Sequence, residues 1–368
     1  MTMSESTSSV AVLTVSESRL LEELTECVGV SGGEGAVRQL VRRALLKELG
    51  EPESDSLGNL IVLRRGRSTD RLRVMVAAHM DEVGFMVVAA DADGRLRFEL
   101  VGGTLEGQLA GRGVWLGPER IPGVIGATPP HLTGSQTRDS TISARDLRIE
   151  IGARSPVEAI ARVPLGTLGT VATPFEGEDG VLRGKALDDR LGVATLLGLL
   201  TQTYEGVDLY GVFTTQEEVG LRGAGPAAYR LAPDLAIVLD CTPARDIPLV
   251  SGEENPFYNT RLGEGPALYS VDASTVSDPR LIRLAEAVAE RLAIRVQHRQ
   301  PGGGSTDAGA IHRSLTGIPS LSISVPGRNL HGGISTALLS DWRGQRSLVQ
   351  GILAQLSPAT FSRAGTQR

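Results

Sequence analysis

Cysteine is almost missing from this 368-residue chain: Cys27 and Cys241 are its two thiols, far apart in sequence. That excludes a disulfide framework and fits a reducing compartment. No run of lysine and arginine forms a stripe able to follow a phosphate backbone, and the formal net charge is −6, so nucleic acid is not an expected partner. No apolar segment approaches the roughly 20 residues that cross a bilayer. The Ser-rich opening "MTMSESTSSV" has neither the basic start nor the apolar centre of a secretion signal. These absences predict a cytoplasmic protein with no membrane partner. No internal repeat is evident either.

Present instead are 41% hydrophobic and 22% charged residues, the balance of a folded globular protein, and 45 glycines, which imply many tight turns between short elements. The length suits one large domain or two ordinary ones. Residues 1–15 are small and polar and read as a flexible tail. "SGGE" at Ser31 to Glu34 has capping-box spacing, and Val37, Leu40, Val41, Ala44, Leu45 and Leu49 recur at helical intervals after it. "NLIVLRRG" and "RLRVMVAAHMD" read as strands, the second buried on both faces. From 84 to 173, short apolar runs such as "GFMVVAAD", "RLRFELVGG" and "GVWLG" alternate with turns, the pattern of an all-β module. The helix and strand rhythm then returns, with helices at "DDRLGVATLLGLL", "DPRLIRLAEAVAERL" and "DWRGQRSLVQGILAQL" and strands at "DLYGVFTT", "DLAIVLD" and "PSLSISV". An α/β domain over 16–83 and 174–368, interrupted by a β module, accounts for this order.

Several predicted strands end in cation-binding side chains: His79 after "VMVAA", Glu217 and Glu218 after "YGVFTT", Asp240 after "LAIVL", and His331 a few residues past "SLSISV". Ligands gather beyond the carboxyl ends of strands in an open α/β sheet, so these groups can converge, with Asp188 joining them from a helix start. Taken singly, each has a plainer explanation. A histidine is more often a surface or core residue, Asp188 a helix cap, Asp240 a turn residue. Together, imidazoles and carboxylates form a shell that zinc, manganese and cobalt accept. Two divalent ions balanced by Asp188, Asp240, one glutamate and one hydroxide carry no net charge, so the cluster can be buried.

The adjacent pair Glu217 and Glu218 fits this scheme, because successive side chains at a strand end point to different sides. One can ligate while the other moves a proton from water to a leaving amine; spacing leaves open which does which. Asp81, two residues from His79, is placed to accept the second ring N–H of that imidazole, or is a turn residue. "GGGSTDAGAIH" combines a glycine loop with a helix start at Ser305 or Thr306 and Asp307 in its first turn. It reads as a loop and cap, or as a wall of a substrate pocket. It lacks the Lys-Ser/Thr ending of a phosphate loop.

The ordered blocks "AAHMDEVGF", "PPHL", "KALDDRLG", "TTQEEVGLRGA", "VLDCTPARD" and "STDAGAIHRSLTGIPS" resemble the M42 family of dinuclear metallopeptidases, which contains the glutamyl and tetrahedral aminopeptidases. The resemblance implies an α/β, phosphorylase/hydrolase-like zinc-peptidase domain with a mixed sheet, interrupted by a small all-β dimerisation domain. It further implies two divalent ions per subunit, zinc or cobalt, with manganese also accepted. His79, Asp188 and Asp240 would hold one ion, and Asp188, Glu218 and His331 the other. Glu217 would be the general base and Asp81 the partner of His79. Peptides would be the substrates and a homo-oligomer, from dimer to dodecamer, the assembly. One departure stands out: "NLHGGIST" replaces the family's "HSPxE"-like segment, keeping His331 but placing Gly332 and Gly333 after it, which gives the loop more freedom.

Three functions follow: an aminopeptidase acting on free amino termini, a metal-dependent deacylase or amidase for which the altered loop speaks, and a non-catalytic assembly protein, against which Glu217 argues. Arg222, Arg328 and Arg245 each read as a group that favours an acidic first residue, or as a surface charge or the partner of a carboxylate, and the sequence does not choose among them.

Overall fold

The computed structural model describes residues 12–46, 49–127, 142–253, 255, 259–300 and 303–362. The segment "PPHL" and most of the polar opening lie outside these residues. Helices α1 (Val15–Glu26) and α2 (Gly35–Leu46) lead into strands β1 (Glu53–Ser54), β2 (Leu60–Arg64) and β3 (Leu72–His79). Next come β4 (Gly84–Ala90), β5 (Leu96–Val101), β6 (Gly113–Leu116), β7 (Ile121–Gly126), β8 (Arg148–Glu150), α3 (Pro156–Arg162) and β9 (Leu168–Val171). The chain continues through β10 (Glu176–Glu178), β11 (Val181–Gly184), α4 (Leu187–Leu200), β12 (Val207–Thr214), α5 (Ala224–Leu231), β13 (Leu235–Pro243) and β14 (Ala267–Leu268). It closes with α6 (Pro279–Leu292), β15 (Gln297–His298), α7 (Ala308–Ile311), β16 (Ser320–Arg328), β17 (Ser335–Leu338) and α8 (Leu339–Gln355).

The fold is mixed α/β. One sheet runs β1-β2-β12-β3-β13-β16-β17-β11-β10. Its centre, β12-β3-β13-β16, is parallel, while the flanking pairs are antiparallel. Period-two alternation decides how β3 is covered: Val74, Val76 and Ala78 join the leucines of α1, α2, α4 and α8 on one face, and Met75 and Ala77 join α5 and α7 on the other. The unbroken apolar run "VMVAA" is the signature of that double burial.

The strands between Gly84 and Val171 close into a barrel, β4-β5-β8-β7-β6-β9, around Phe85, Phe98, Leu116 and Ile149. This segment also holds the short helix α3, for which Ser155 caps the backbone N–H of Glu158 and Pro156 occupies the first turn. Both chain crossings between sheet and barrel meet at Glu82. Its carboxylate accepts from Gly29 N at 3.0 Å, Thr170 Oγ1 at 3.0 Å, Lys185 Nζ at 2.8 Å and Arg190 Nη2 at 3.3 Å. Four donors surround one buried carboxylate, the condition under which a buried charge is tolerated.

Two local expectations change. The capping box belongs to α1: Thr14 Oγ1 accepts from Glu17 N, and the Glu17 carboxylate accepts from Thr14 N. Helix α1 thus starts at Val15, with Thr14 as its cap, inside the stretch expected to be a tail. At "SGGE" no such box forms, because Ser31 Oγ donates to Asp81 and α2 begins only at Gly35. No helix among the described residues is long and apolar enough to cross a membrane.

Candidate metal centre

Parallel strands set the candidate groups side by side. His79 ends β3, Asp240 lies near the end of the neighbouring β13, Glu217 and Glu218 follow β12, and His331 follows β16. Asp188 completes the group from the start of α4. All six line one open cleft of about 1930 Å³, bulk solvent at its mouth included.

Asp188 is the centre of the arrangement. Its Oδ1 lies 3.1 Å from His79 Nε2, and its Oδ2 lies 3.5 Å from His331 Nε2. His331 Nε2 is also 3.2 Å from Glu218 Oε1, and His79 Nε2 is 3.8 Å from Asp240 Oδ1. The helix-cap explanation of Asp188 fails because Asp189 does that work: its Oδ1 accepts from Gly192 N at 3.0 Å. A Cβ on Gly192 would meet that carboxylate at 2.3 Å, so the glycine is required where the cap folds back. Capping by Asp189 leaves both oxygens of Asp188 free to face the histidines.

The second ring nitrogens show what the site is built to hold. His79 Nδ1 faces the backbone carbonyl of Asp81 at 3.1 Å, and His331 Nδ1 faces Gly103 O at 3.3 Å. With Nδ1–H donating to a carbonyl, each Nε2 presents a lone pair toward carboxylate oxygens, and only a proton or a cation between them relieves the repulsion. In the ion-free protein protons fill that role. Burial alone would lower the pKa of His331, yet Asp188 and Glu218 push it up to about 11; His79 is likewise held well above its usual value by Asp188 and Asp240 against its own burial. Burial, reinforced by Asp188, pushes Asp240 up to about 8. Imidazole and carboxylate donors gathered at these separations are of the kind that hold a divalent ion. His79, Asp188 and Glu218 offer ligand atoms that all lie within 4.8 Å of one another.

Asp81 stands beside His79, its Oδ1 3.6 Å from Nδ1, and its two oxygens also serve other partners. Oδ1 accepts from Glu217 N at 3.0 Å, and Oδ2 accepts from Glu218 N at 3.1 Å and from Ser31 Oγ at 2.6 Å. Asp81 thus fixes the backbone of both glutamates. Glu34 adds to this by accepting from Gln216 N at 3.2 Å. The Glu217 carboxylate has no hydrogen-bond partner among the described residues and faces the cleft. Burial, with the nearby carboxylates of Asp240, Asp307 and Glu218, raises its pKa well above the usual range.

Asp307 is not on the cleft wall. It is 1% exposed beneath the site, where Oδ2 accepts from Thr214 Oγ1 at 2.5 Å and burial raises its pKa to about 6. The helix after it starts at Ala308, so "GGGSTDAGAIH" contributes Gly303, Gly304 and Ser305 to the wall instead.

The glycines after His331 answer to crowding. A Cβ on Gly332 would lie 2.6 Å from Gln108 Oε1 and 2.8 Å from Asn329 O, and one on Gly333 would lie 2.6 Å from the Arg112 guanidinium. The barrel side presses on this loop: at Gly332 a side chain would meet the backbone carbonyl of Asn329, whereas at Gly333 it would have to displace the flexible end of Arg112.

Of the arginines singled out from sequence, Arg328 is bound to both oxygens of Asp246 at 2.7 and 2.8 Å, and Arg222 lies off the cleft. Arg245 is exposed on its rim. Sequence reasoning passed over Arg299 and Tyr269, which also line it; nothing in the local sequence marks them.

A family model described as M42 glutamyl aminopeptidase matches residues 58–348. The glutamyl aminopeptidase of Lactococcus lactis subsp. cremoris is 34% identical, covering 92% of this chain and 96% of its own. The lysyl aminopeptidase of Pyrococcus furiosus is 32% identical, covering 93% and 98%. Among solved structures, the Pyrococcus horikoshii TET1 peptidase, described as assembling into a tetrahedron or a large octahedral shell, superposes with a TM-score of 0.81 at 33% identity, over 92% of this chain and 99% of that one.

Proposed function

Because the chain belongs to the M42 glutamyl aminopeptidase family, we propose that it is a two-metal aminopeptidase that releases the first residue from peptides with a free amino terminus. The observation that carries this reading is the bridging geometry of Asp188, one oxygen toward each of two histidines.

Two divalent ions bound here would lower the pKa of water toward neutrality and polarise the scissile carbonyl. The chain's own residues supply the rest. Asp188 is the shared ligand, with His79 and Asp240 on one side and His331 and Glu218 on the other. Glu217, without a hydrogen-bond partner for its carboxylate among the described residues, takes a proton from the attacking water on a carboxylate oxygen and returns it to the leaving amine nitrogen. Asp81 keeps the two glutamates apart in role by gripping their backbone N–H groups. Zinc or cobalt suits the mixed nitrogen and oxygen donors, and manganese is also accepted.

The deacylase reading rested on the altered loop, and His331 nevertheless stands beside Glu218 and Asp188. The barrel is the candidate dimerisation unit of a homo-oligomer, on the analogy of the shell-forming relative.

The test is a hydrolysis screen. Protein stripped by chelation is resupplied with zinc, cobalt or manganese and given matched peptides with free or acetylated amino termini. Metal-dependent release from the free-amine series alone is the expected result. No release from any free-amine peptide with any of the three ions overturns the reading.

A further inference from the structure

His331 is held from outside its own segment. Its backbone φ is +59°, a left-handed conformation that a residue with a side chain keeps only where its surroundings enforce it. Gly332 and Gly333 follow, with no side chain to anchor the turn. Within the segment, Gly332 N donates to Asn329 O at 3.0 Å and Ser335 Oγ donates to the same carbonyl at 3.3 Å; neither bond reaches Gly333 or the imidazole. The bonds that do reach them come from the barrel side. His331 Nδ1 faces Gly103 O at 3.3 Å, and Gly333 N donates to Gln108 Oε1 at 3.4 Å, both acceptors lying in the connection from β5 to β6. Thr173, just beyond β9, donates its hydroxyl to Gly333 O at 2.5 Å, the short end of the range for such bonds. Gly333 is thereby gripped at its N–H and at its C=O.

We infer that Thr173, assisted by Gln108, is a positioning residue for the candidate metal centre: by clamping Gly333 it keeps His331 Nε2 turned toward Asp188 and Glu218. This rests on the two-metal reading above and deepens it. The two histidines differ in their need for support. His79 ends β3, pairs in register with Thr214 of β12 and has a side chain 3% exposed; the side chain of His331 is 33% exposed and lies beyond the end of β16. The sheet fixes the first and the clamp fixes the second, in the way that groups behind a ligand orient it. Loosening the clamp therefore acts on one ion, the one assigned to His331 and Glu218, and spares the one assigned to His79 and Asp240. A barrel that served assembly alone would show no such selectivity.

The test titrates chelator-stripped protein with zinc and counts the ions bound per subunit by calorimetry and elemental analysis, so no turnover is needed. Wild-type protein is expected to bind two. Thr173→Val keeps the shape of the side chain and removes its hydroxyl; one of the two ions is expected to bind about 10- to 100-fold more weakly, with the other unchanged. The unchanged ion also shows that the variant is folded. Thr173→Ser restores the donor and is expected to restore the affinity, while Gln108→Leu, which removes the longer bond, gives a smaller loss in the same ion. His331→Ala identifies that ion, because the one it retains must match the one unchanged in Thr173→Val. Thr167→Val deletes a comparable hydroxyl bond at the other end of β9, to Pro164 O at 2.6 Å, and is expected to change neither ion. Both ions at wild-type affinity in Thr173→Val, or both weakened alike, overturns the inference and leaves the two-metal reading standing. Fewer than two ions in the wild type overturns that reading and the inference with it.

Discussion

The backbone N–H of Glu217 donates to Asp81 Oδ1 at 3.0 Å, and this single bond connects the end of β12 to the turn that follows β3. The other oxygen of Asp81 takes the N–H of Glu218, so one carboxylate sets the register of both neighbouring acids. Asp81→Asn replaces one acceptor oxygen by a donor that faces an N–H. Activity is expected to fall about 10- to 100-fold, chiefly in kcat, with Ser31→Ala giving a smaller loss. Steady-state kinetics at saturating metal check this.

Glu217→Gln removes the proton carrier while keeping its shape. A loss in kcat of about 10²- to 10⁴-fold is expected, with bound metal unchanged when measured by elemental analysis. Glu218→Gln should behave in the opposite way, losing metal first. Equal metal loss in both variants would contradict the division of roles.

Protons and divalent ions compete for the same atoms. His331, at about 11, and Asp240, at about 8, hold protons at pH 7 in the ion-free protein, so filling the site must release protons. Metal affinity is expected to weaken as pH falls below about 11, and more steeply below about 8. Calorimetry in buffers of different ionisation enthalpy reads the released protons directly; binding that is independent of pH between 6 and 8 would contradict the geometry.

Glu82 gathers Lys185 and Arg190 where the barrel joins the sheet. Glu82→Gln leaves two buried cations without a counter-charge and is expected to cost about 3–5 kcal/mol in urea unfolding. Burial has already lowered the Lys185 pKa to about 8 although Glu82 opposes it. Because the unfolded chain binds the proton more tightly, the wild-type fold should gain stability as pH rises from 8 towards 10.5. Lys185→Met should flatten that rise.

Glu17 closes the capping box of α1 and pairs with Arg343 and Arg346 of α8. Burial opposes its charge, but Arg343 and Thr14 bring its pKa down to about 2. A lowered carboxylate pKa stabilises the fold above the ordinary value of 4.5 and loses that contribution as pH falls towards 2. Glu17→Gln should cost about 1 kcal/mol at pH 7 and show less acid sensitivity in that window, as read by urea titrations at a series of pH values.

The alternation and run length of the apolar residues determined by themselves which strands lie buried, and so that His79, Asp240, Glu217 and Glu218 would stand at strand ends. Burial pattern is a local property, one residue against the next, and it survives in one dimension. The family resemblance named the same residues by motif. Neither source assigned partners correctly where two polar groups compete for one acceptor. Ser31 and Glu34 have the spacing of a helix cap and instead brace the site through Asp81 and Gln216; Asp189 caps α4 and releases Asp188 to bridge two histidines. Arg299 carries no local signal either, since what places its guanidinium is the ring of Tyr269, thirty residues earlier in the chain. Such choices depend on which groups the sheet order brings within about 3 Å, a distance that exists only after β12, β3, β13 and β16 have come together.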